Sequence, residues 1–351
     1  MEKPAPLDGV TTQMIATPRL EQHVYFAGPE DGAPVVFVHG NCASALHWEE
    51  NMLALPEGFR GIAPDLRGYG WTEAAPIDAT RGMRDWADDL DALMVALDIE
   101  KFHLVGHSMG GGVAMRYAID HPEKLLSLTL ADTVSPYGFG GTRGEDGQPV
   151  HEDYAGSGGG TVNQEFVKYI DEEISDGGNP NYPREVINAA YFKPPFRHPR
   201  EDALVTSLLA TRTGEDFYPG DMTPSEHWPN VAPGAKGVAN AFAPKYADTS
   251  ALVDIDPKPP VLWIQAANDV IVSDTSMFDF GFLGQLGIVP GWPGPEVCPP
   301  QPMVSQTRHV LEQYQANGGA YEAHVIAESG HCCYLEKADE FDALLGKFLK
   351  K

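Results

Sequence analysis

Cysteine is scarce in this chain: four among 351 residues, at Cys42, Cys298, Cys332 and Cys333. They form no CxxC pair and no Cys/His spacing suited to zinc. A disulfide framework is thereby excluded, no metal is expected, and the usage suits a reducing compartment. Positive charge is also short, with 24 Lys and Arg against 50 Asp and Glu and a formal charge of −26. Without a basic cluster the chain lacks the electrostatic footprint for a polyanion, so neither nucleic acid nor an anionic membrane is an expected partner. No run reaches the ~18 apolar residues of a membrane span. Residues 1–20 lack the charged-then-apolar pattern of a secretory leader. The expectation is a soluble, cytoplasmic protein. No internal repeat is present.

What the chain does have is an alternation of short apolar runs and helical periods. Residues 20–27, 35–38, 61–65, 102–105, 125–130, 261–265 and 321–326 read as strands. Trp86, Leu90, Leu93 and Leu97 recur at helical spacing, as do Phe341, Leu344, Leu345 and Phe348. Residues 113–119 read as a further helix, closed by His121-Pro122. Alternating strand and helix predicts an α/β fold with a mostly parallel sheet and helices on both faces. The turn composition of residues 28–32 predicts that 20–27 and 35–38 pair antiparallel.

The pattern breaks after residue 132. Gly-rich and Pro-rich stretches surround helical segments at 162–175, 183–192 and 199–212. The organisation read here is a core at 1–132, a helical cap inserted at 133–256, and the rest of the core at 257–351. A loop at 274–306, rich in Gly, Pro and aromatics, interrupts that last part and is expected to border a pocket.

The chemistry gathers at strand ends. Gly106-His107-Ser108-Met109-Gly110 reads Gly-x-Ser-x-Gly between a strand and a helix, a turn that pushes a serine hydroxyl out above a sheet. Asp269 follows the strand at 261–265, and His331 follows the strand at 321–326. Serine, acid and histidine in that chain order, each just past a strand, define one triad scaffold among several. A serine needs a base, and His331 is the candidate; an acid must orient the imidazole, and Asp269 is the candidate. Asp132, after the preceding strand, and Asp274 are rivals for the acid. The Met109 backbone N–H, just past the serine, is placed to receive an oxyanion.

The chain resembles the α/β-hydrolases, in the lid-bearing branch of serine esterases, lactonases and C–C hydrolases. The matching segments are His39-Gly40-Asn41, Asp65-Leu66-Arg67-Gly68-Tyr69-Gly70, Gly106 to Gly110, Asn268-Asp269 and Gly330-His331. The resemblance implies an α/β-hydrolase fold with a helical lid, no cofactor, and a second oxyanion donor in the backbone N–H of Asn41. His39 is expected to brace that first loop. Trp48, His107, Tyr137 and Trp228 are candidate pocket residues. A serine at position 108, where dehalogenases and epoxide hydrolases of this fold carry Asp, implies acyl chemistry on a small, apolar ester or lactone. C–C bond hydrolysis with the same residues is the nearest alternative. A hydrolase-like ligand-binding protein without turnover is the alternative of another class. Cys42 and Cys332 read as small, soft, buried side chains.

Overall fold

The computed structural model describes residues 1–351 in full. Eight strands make one sheet: β1 (Val10–Ala16), β2 (Glu21–Ala27), β3 (Ala33–Val38), β4 (Phe59–Pro64), β5 (Phe102–His107), β6 (Leu125–Ala131), β7 (Val261–Ala266) and β8 (Tyr321–Ile326). Their order in space is β1-β2-β4-β3-β5-β6-β7-β8. The pairs β1/β2 and β2/β4 are antiparallel, and every other neighbouring pair is parallel. The inner strands read as unbroken apolar runs because both of their faces are covered. Val35 to Val38 of β3 and Leu104 and Val105 of β5 are fully buried.

Six helices of eight or more residues complete the frame: α1 (Arg84–Ala96), α2 (Met109–Asp120), α3 (Gln164–Asp171), α4 (Glu201–Leu209), α5 (Met303–Ala316) and α6 (Ala338–Leu349). The two predicted apolar stripes are the buried faces of α1 and α6. Trp86, Leu90 and Leu93 are buried on the first, Phe341, Leu345 and Phe348 on the second. Helix α2 packs on β3, β5 and β6 and against α1.

One predicted pairing is wrong. β2 and β3 are not neighbours, because β4 lies between them: Phe26 opposes Ile62, and Ile62 opposes Val36. The chain leaves β3 through the helical turns Ala45–Trp48 and Glu49–Leu53, then returns parallel to β3. That crossover takes the edge of β3 that a simple hairpin would have given to β2.

Between β6 and β7 the chain leaves the sheet. This excursion carries α3, a helical turn at Pro183–Val186 that runs into a π-turn at Ile187–Tyr191, and α4. Three short strand pairs join them, one of them Thr142–Arg143 with Gln148–Pro149 in the glycine-rich stretch. Phe166, Ile170, Leu204 and Leu208 belong to the same continuous apolar cluster as the sheet. The second excursion, 274–306, contains a short helix at Phe280–Gln285.

Two buried glutamines tie the excursions together. Gln301 accepts from the Gly140 N–H at 2.6 Å and donates to the Gly138 carbonyl at 3.0 Å and to Gln306 Oε1 at 2.9 Å. Gln306 accepts from the Ser135 hydroxyl at 2.6 Å and donates to Thr142 Oγ1 and the Gly144 carbonyl. Buried amides so fully paired fix one loop against the other.

Candidate active site

Ser108 sits between β5 and α2 with φ 54° and ψ −122°, a left-handed conformation that costs a non-glycine residue about 1–3 kcal/mol. The turn is held on both sides. The Ser108 N–H donates to the Ala131 carbonyl at 3.0 Å, and the Ser108 carbonyl accepts from Gly111 and Val134 at 2.9 and 3.1 Å. Glycine is required where the backbones close in. A Cβ on Gly106 would stand 2.4 Å from the Gly110 carbonyl oxygen, and one on Gly110 would stand 2.4 Å from the Val38 and His39 carbonyl oxygens.

His331 follows β8, and Asp269 follows β7. The His331 Nδ1–H donates to Asp269 Oδ2 at 2.7 Å, and both side chains are almost wholly buried. The second oxygen of Asp269 accepts from the Ile271 and Val272 N–H groups at 2.7 and 3.0 Å, so the carboxylate cannot swing away. Burial alone would lower the His331 pKa. The charge and hydrogen bond of Asp269 outweigh it and hold the imidazole above its ordinary value.

The rival acids are used otherwise. Asp132 is fully buried; its Oδ1 accepts from the Ala266 N–H at 2.6 Å, and its Oδ2 has no partner. Burial, followed by the nearby Asp269 charge, pushes it up to about 8, so it is protonated at neutral pH. Asp274 accepts from Val304 and Ser305 in the first turn of α5.

The loop after β3 is braced as the sequence suggests. His39 donates through Nδ1 to the Gly40 carbonyl at 2.8 Å and accepts through Nε2 from the Leu66 N–H at 3.0 Å. Its burial drives it toward the neutral form. The Asn41 side chain is occupied: the Tyr69 hydroxyl donates to its Oδ1 at 2.7 Å. The Tyr191 hydroxyl lies between the carbonyls of Asn41 and Cys42, at 3.3 and 3.1 Å. Asp65 stitches the same region, accepting from Ala45 and Trp71 N–H groups and from His23. Met109 opens α2, where first-turn N–H groups have no acceptor within the helix.

Ser108, His331, Asn41, Met109 and His107 line one cavity of about 430 Å³. Twenty of its thirty lining residues are hydrophobic, which suits an apolar ligand. Phe139, Phe166, Val186 and Tyr218 come from the first excursion, Met277, Phe278, Phe280 and Leu283 from the second. Cys42 and Cys332 also line it as buried thiols; burial pushes Cys42 up to about 12 and Cys332 well above its usual value.

Three predicted pocket residues lie elsewhere. Trp48 is wholly buried in the core, stacked on Tyr334 with ring centres 4.0 Å apart. Its neighbour His47 lines the cavity instead, because consecutive residues on the tight turn Ala45–Trp48 face different ways. Tyr137 packs its ring over Gly147, and a Cβ there would sit 2.1 Å from it. Trp228 braces the outside of the Phe280–Gln285 helix, donating Nε1–H to the Pro290 carbonyl at 2.9 Å. Nothing in the sequence marks Tyr191 or His47 for the cavity, whereas Tyr218 belongs to the aromatic-rich stretch that suggests an apolar pocket. Tyr69 and Asp65 stood in a segment singled out by resemblance, without an assigned role.

An eight-stranded, mostly parallel sheet with a serine on the β5–α2 turn defines the α/β-hydrolase fold. A family profile described as "alpha/beta hydrolase fold" matches residues 33–152. The chain has the α/β-hydrolase fold. It is 39% identical over 102 residues to a 2-hydroxymuconate semialdehyde hydrolase of Pseudomonas sp. (strain CF600), covering 28% of this chain and 36% of that protein. It is 34% identical over 137 residues to the non-heme chloroperoxidase CPO-A1 of Kitasatospora aureofaciens, covering 38% and 49%. The match thus spans less than half the length of either relative. Among solved structures, a serine hydrolase from the polyaromatic hydrocarbon-degrading bacterium Cycloclasticus zankles superposes with a TM-score of 0.62 at 18% identity, covering 97% of this chain and 98% of that one. No helix is long and apolar enough to cross a membrane.

Proposed function

We propose that this protein is a cytoplasmic serine hydrolase that cleaves a small, apolar carboxylic ester or lactone through an acyl-enzyme. The observation that carries the reading is the 2.7 Å pairing of His331 with a locked Asp269, beside a strained Ser108 that lines the same cavity. Ser108 is the nucleophile. His331 Nε2 takes its proton as the hydroxyl attacks the carbonyl carbon, and Asp269 stabilises the imidazolium that forms. The Asn41 and Met109 N–H groups receive the oxyanion. The imidazolium then protonates the leaving alcohol. A water deprotonated by the same imidazole attacks the acyl carbon, releasing the acid and restoring Ser108. Residues 133–256 serve as a cap and, with the 274–306 loop, exclude bulk water from the reacting carbonyl. No cofactor is required.

C–C bond hydrolysis is the second reading, favoured by the partial match to a semialdehyde hydrolase. A chromogenic acyl panel set against a dienone panel separates the two. Ligand binding without turnover is the third.

Labelling by a fluorophosphonate, read as intact mass, tests the reading without the natural substrate. One adduct is expected on the native chain, none on Ser108→Ala, and slow labelling of His331→Ala and Asp269→Asn. A folded native chain that takes no label overturns it.

A further inference from the structure

The polar groups around the cavity divide into those already committed and those left open. Thr161 donates to the Gly158 carbonyl, and Asn163 donates to Asn181, which donates in turn to Glu165. The Tyr191 hydroxyl faces the main chain at Asn41 and Cys42. The ring nitrogens of His47 and His107 are either sealed off or bonded to the main chain. Apart from the thiols and from Ser108 and His331 themselves, two groups remain: the side-chain amide of Asn41 and the hydroxyl of Tyr218.

Only one end of the Asn41 amide is taken. Its Oδ1 accepts from the Tyr69 hydroxyl at 2.7 Å and faces the Cys42 thiol at 3.6 Å. Two donors on one oxygen fix which end is nitrogen. The Nδ2 has no acceptor in the protein and is not sealed off; Asn41 is half-buried in the cavity wall. The Tyr218 hydroxyl lies beside that amide and the Cys42 thiol, and no protein group accepts its hydrogen. It too keeps surface in the cavity, although the rest of the side chain is buried. Burial holds the phenol well above its ordinary pKa, so it stays a donor.

What this part of the wall lacks is an acceptor. One hydrogen of Nδ2 can meet the Tyr218 oxygen; the other, and the Tyr218 hydrogen, are left for a ligand. A carbonyl oxygen offers two lone pairs and brings no hydrogen of its own. A hydroxyl would bring a hydrogen that these donors cannot receive. A carboxylate would need a cation, and no Lys or Arg lines the cavity.

We propose that the Asn41 side-chain amide and the Tyr218 hydroxyl form a carbonyl-recognition subsite, so that the substrate is an uncharged ester or lactone carrying a second carbonyl group. This rests on the serine hydrolase reading above. The main chain of Asn41 is the oxyanion donor in that reading, so the second carbonyl lies within a few bonds of the one that is attacked.

The test compares ethyl hexanoate with matched esters bearing an oxo group or a hydroxyl at each chain carbon in turn. Affinity is measured by calorimetry on Ser108→Ala, and kcat/KM on the native chain by proton release. At one position the oxo ester should be preferred about tenfold over both the plain and the hydroxy ester. Tyr218→Phe, which deletes only the hydroxyl, should bring that ratio down to about twofold. Asn41→Asp, which keeps the acceptor for Tyr69 but removes the N–H groups, should abolish it. Tyr191→Phe, whose hydroxyl faces main-chain carbonyls, should leave the ratio where it is. Comparing variants on the same pair of esters cancels both the reactivity that an oxo group adds and a general weakening of the fold. Equal treatment of plain and oxo esters at every position overturns the proposal. So does a preference for the hydroxy ester, or a ratio that survives Tyr218→Phe. Failure of the hydrolase reading is seen separately, as a native chain that takes no fluorophosphonate, while the calorimetric ratio still reports on the subsite.

Discussion

Asp269 and His331 meet at 2.7 Å although 62 positions separate them, because each closes the loop after one of two adjacent parallel strands, β7 and β8. Parallel strands deliver their C-terminal ends to one edge of the sheet, and so does β5, which delivers Ser108. The reactive groups share an edge because the strand directions agree.

That pair sets a pH dependence. Asp269 holds the His331 pKa up against burial, so the neutral imidazole that the proposed mechanism uses as a base is lost as pH falls through a raised pKa. In Asp269→Asn the opposing effect of burial is no longer offset. The acidic limb of kcat/KM should move to lower pH, and the plateau should drop by about a thousandfold to ten-thousandfold. A pH–rate profile of both proteins measures the two effects together.

Asp132 titrates in the opposite sense for stability. Its pKa is about 8 folded against an ordinary 3.8, so between those values the folded chain holds a proton that the unfolded chain has released. Native stability therefore falls as pH rises across that window. Asp132→Asn removes the titration and mimics the protonated form. The variant should gain on the native chain progressively from pH 4 to pH 8 in melting temperature, with activity at neutral pH changed by only about a few-fold.

Tyr191→Phe deletes one hydroxyl that lies against the Asn41 and Cys42 carbonyls. The loss should be about 1 kcal/mol of stability. Because those carbonyls orient the loop that carries the Asn41 N–H, kcat should fall about tenfold while KM moves less. Chemical denaturation and steady-state kinetics on one acyl ester check both.

Gly110→Ala brings a methyl group to 2.4 Å from two carbonyl oxygens of β3 and its following loop. The helix must back away from the sheet. A stability loss of about 2–4 kcal/mol is expected, together with much slower fluorophosphonate labelling.

The frame was legible because its signals are local. Continuous apolar runs, helical periods and the Gly-x-Ser-x-Gly turn each report on a few neighbouring residues, and parallel strands place their ends predictably. The pairing of β2 with β3 was misread because closeness in sequence was taken for closeness in space, whereas a crossover put β4 between them. Trp48 was misread because pocket-lining and core-filling aromatics look alike in a sequence. Only the facing of the turn Ala45–Trp48 assigns the core to Trp48 and the cavity to His47. Tyr191 reaches the site from the helical stretch at 183–192, whose periodicity says that a helix forms but not which of its side chains faces the cavity.

The paired amides of Gln301 and Gln306 bind the 274–306 loop to the start of the first excursion, at Ser135, Gly138 and Gly140. Grafting either one alone from another hydrolase would strand buried amide groups against a loop that does not answer them. Chimeras that aim to change substrate range should therefore exchange residues 133–256 and 274–306 together. A phylogeny of the two segments should show them travelling as partners rather than as independent insertions.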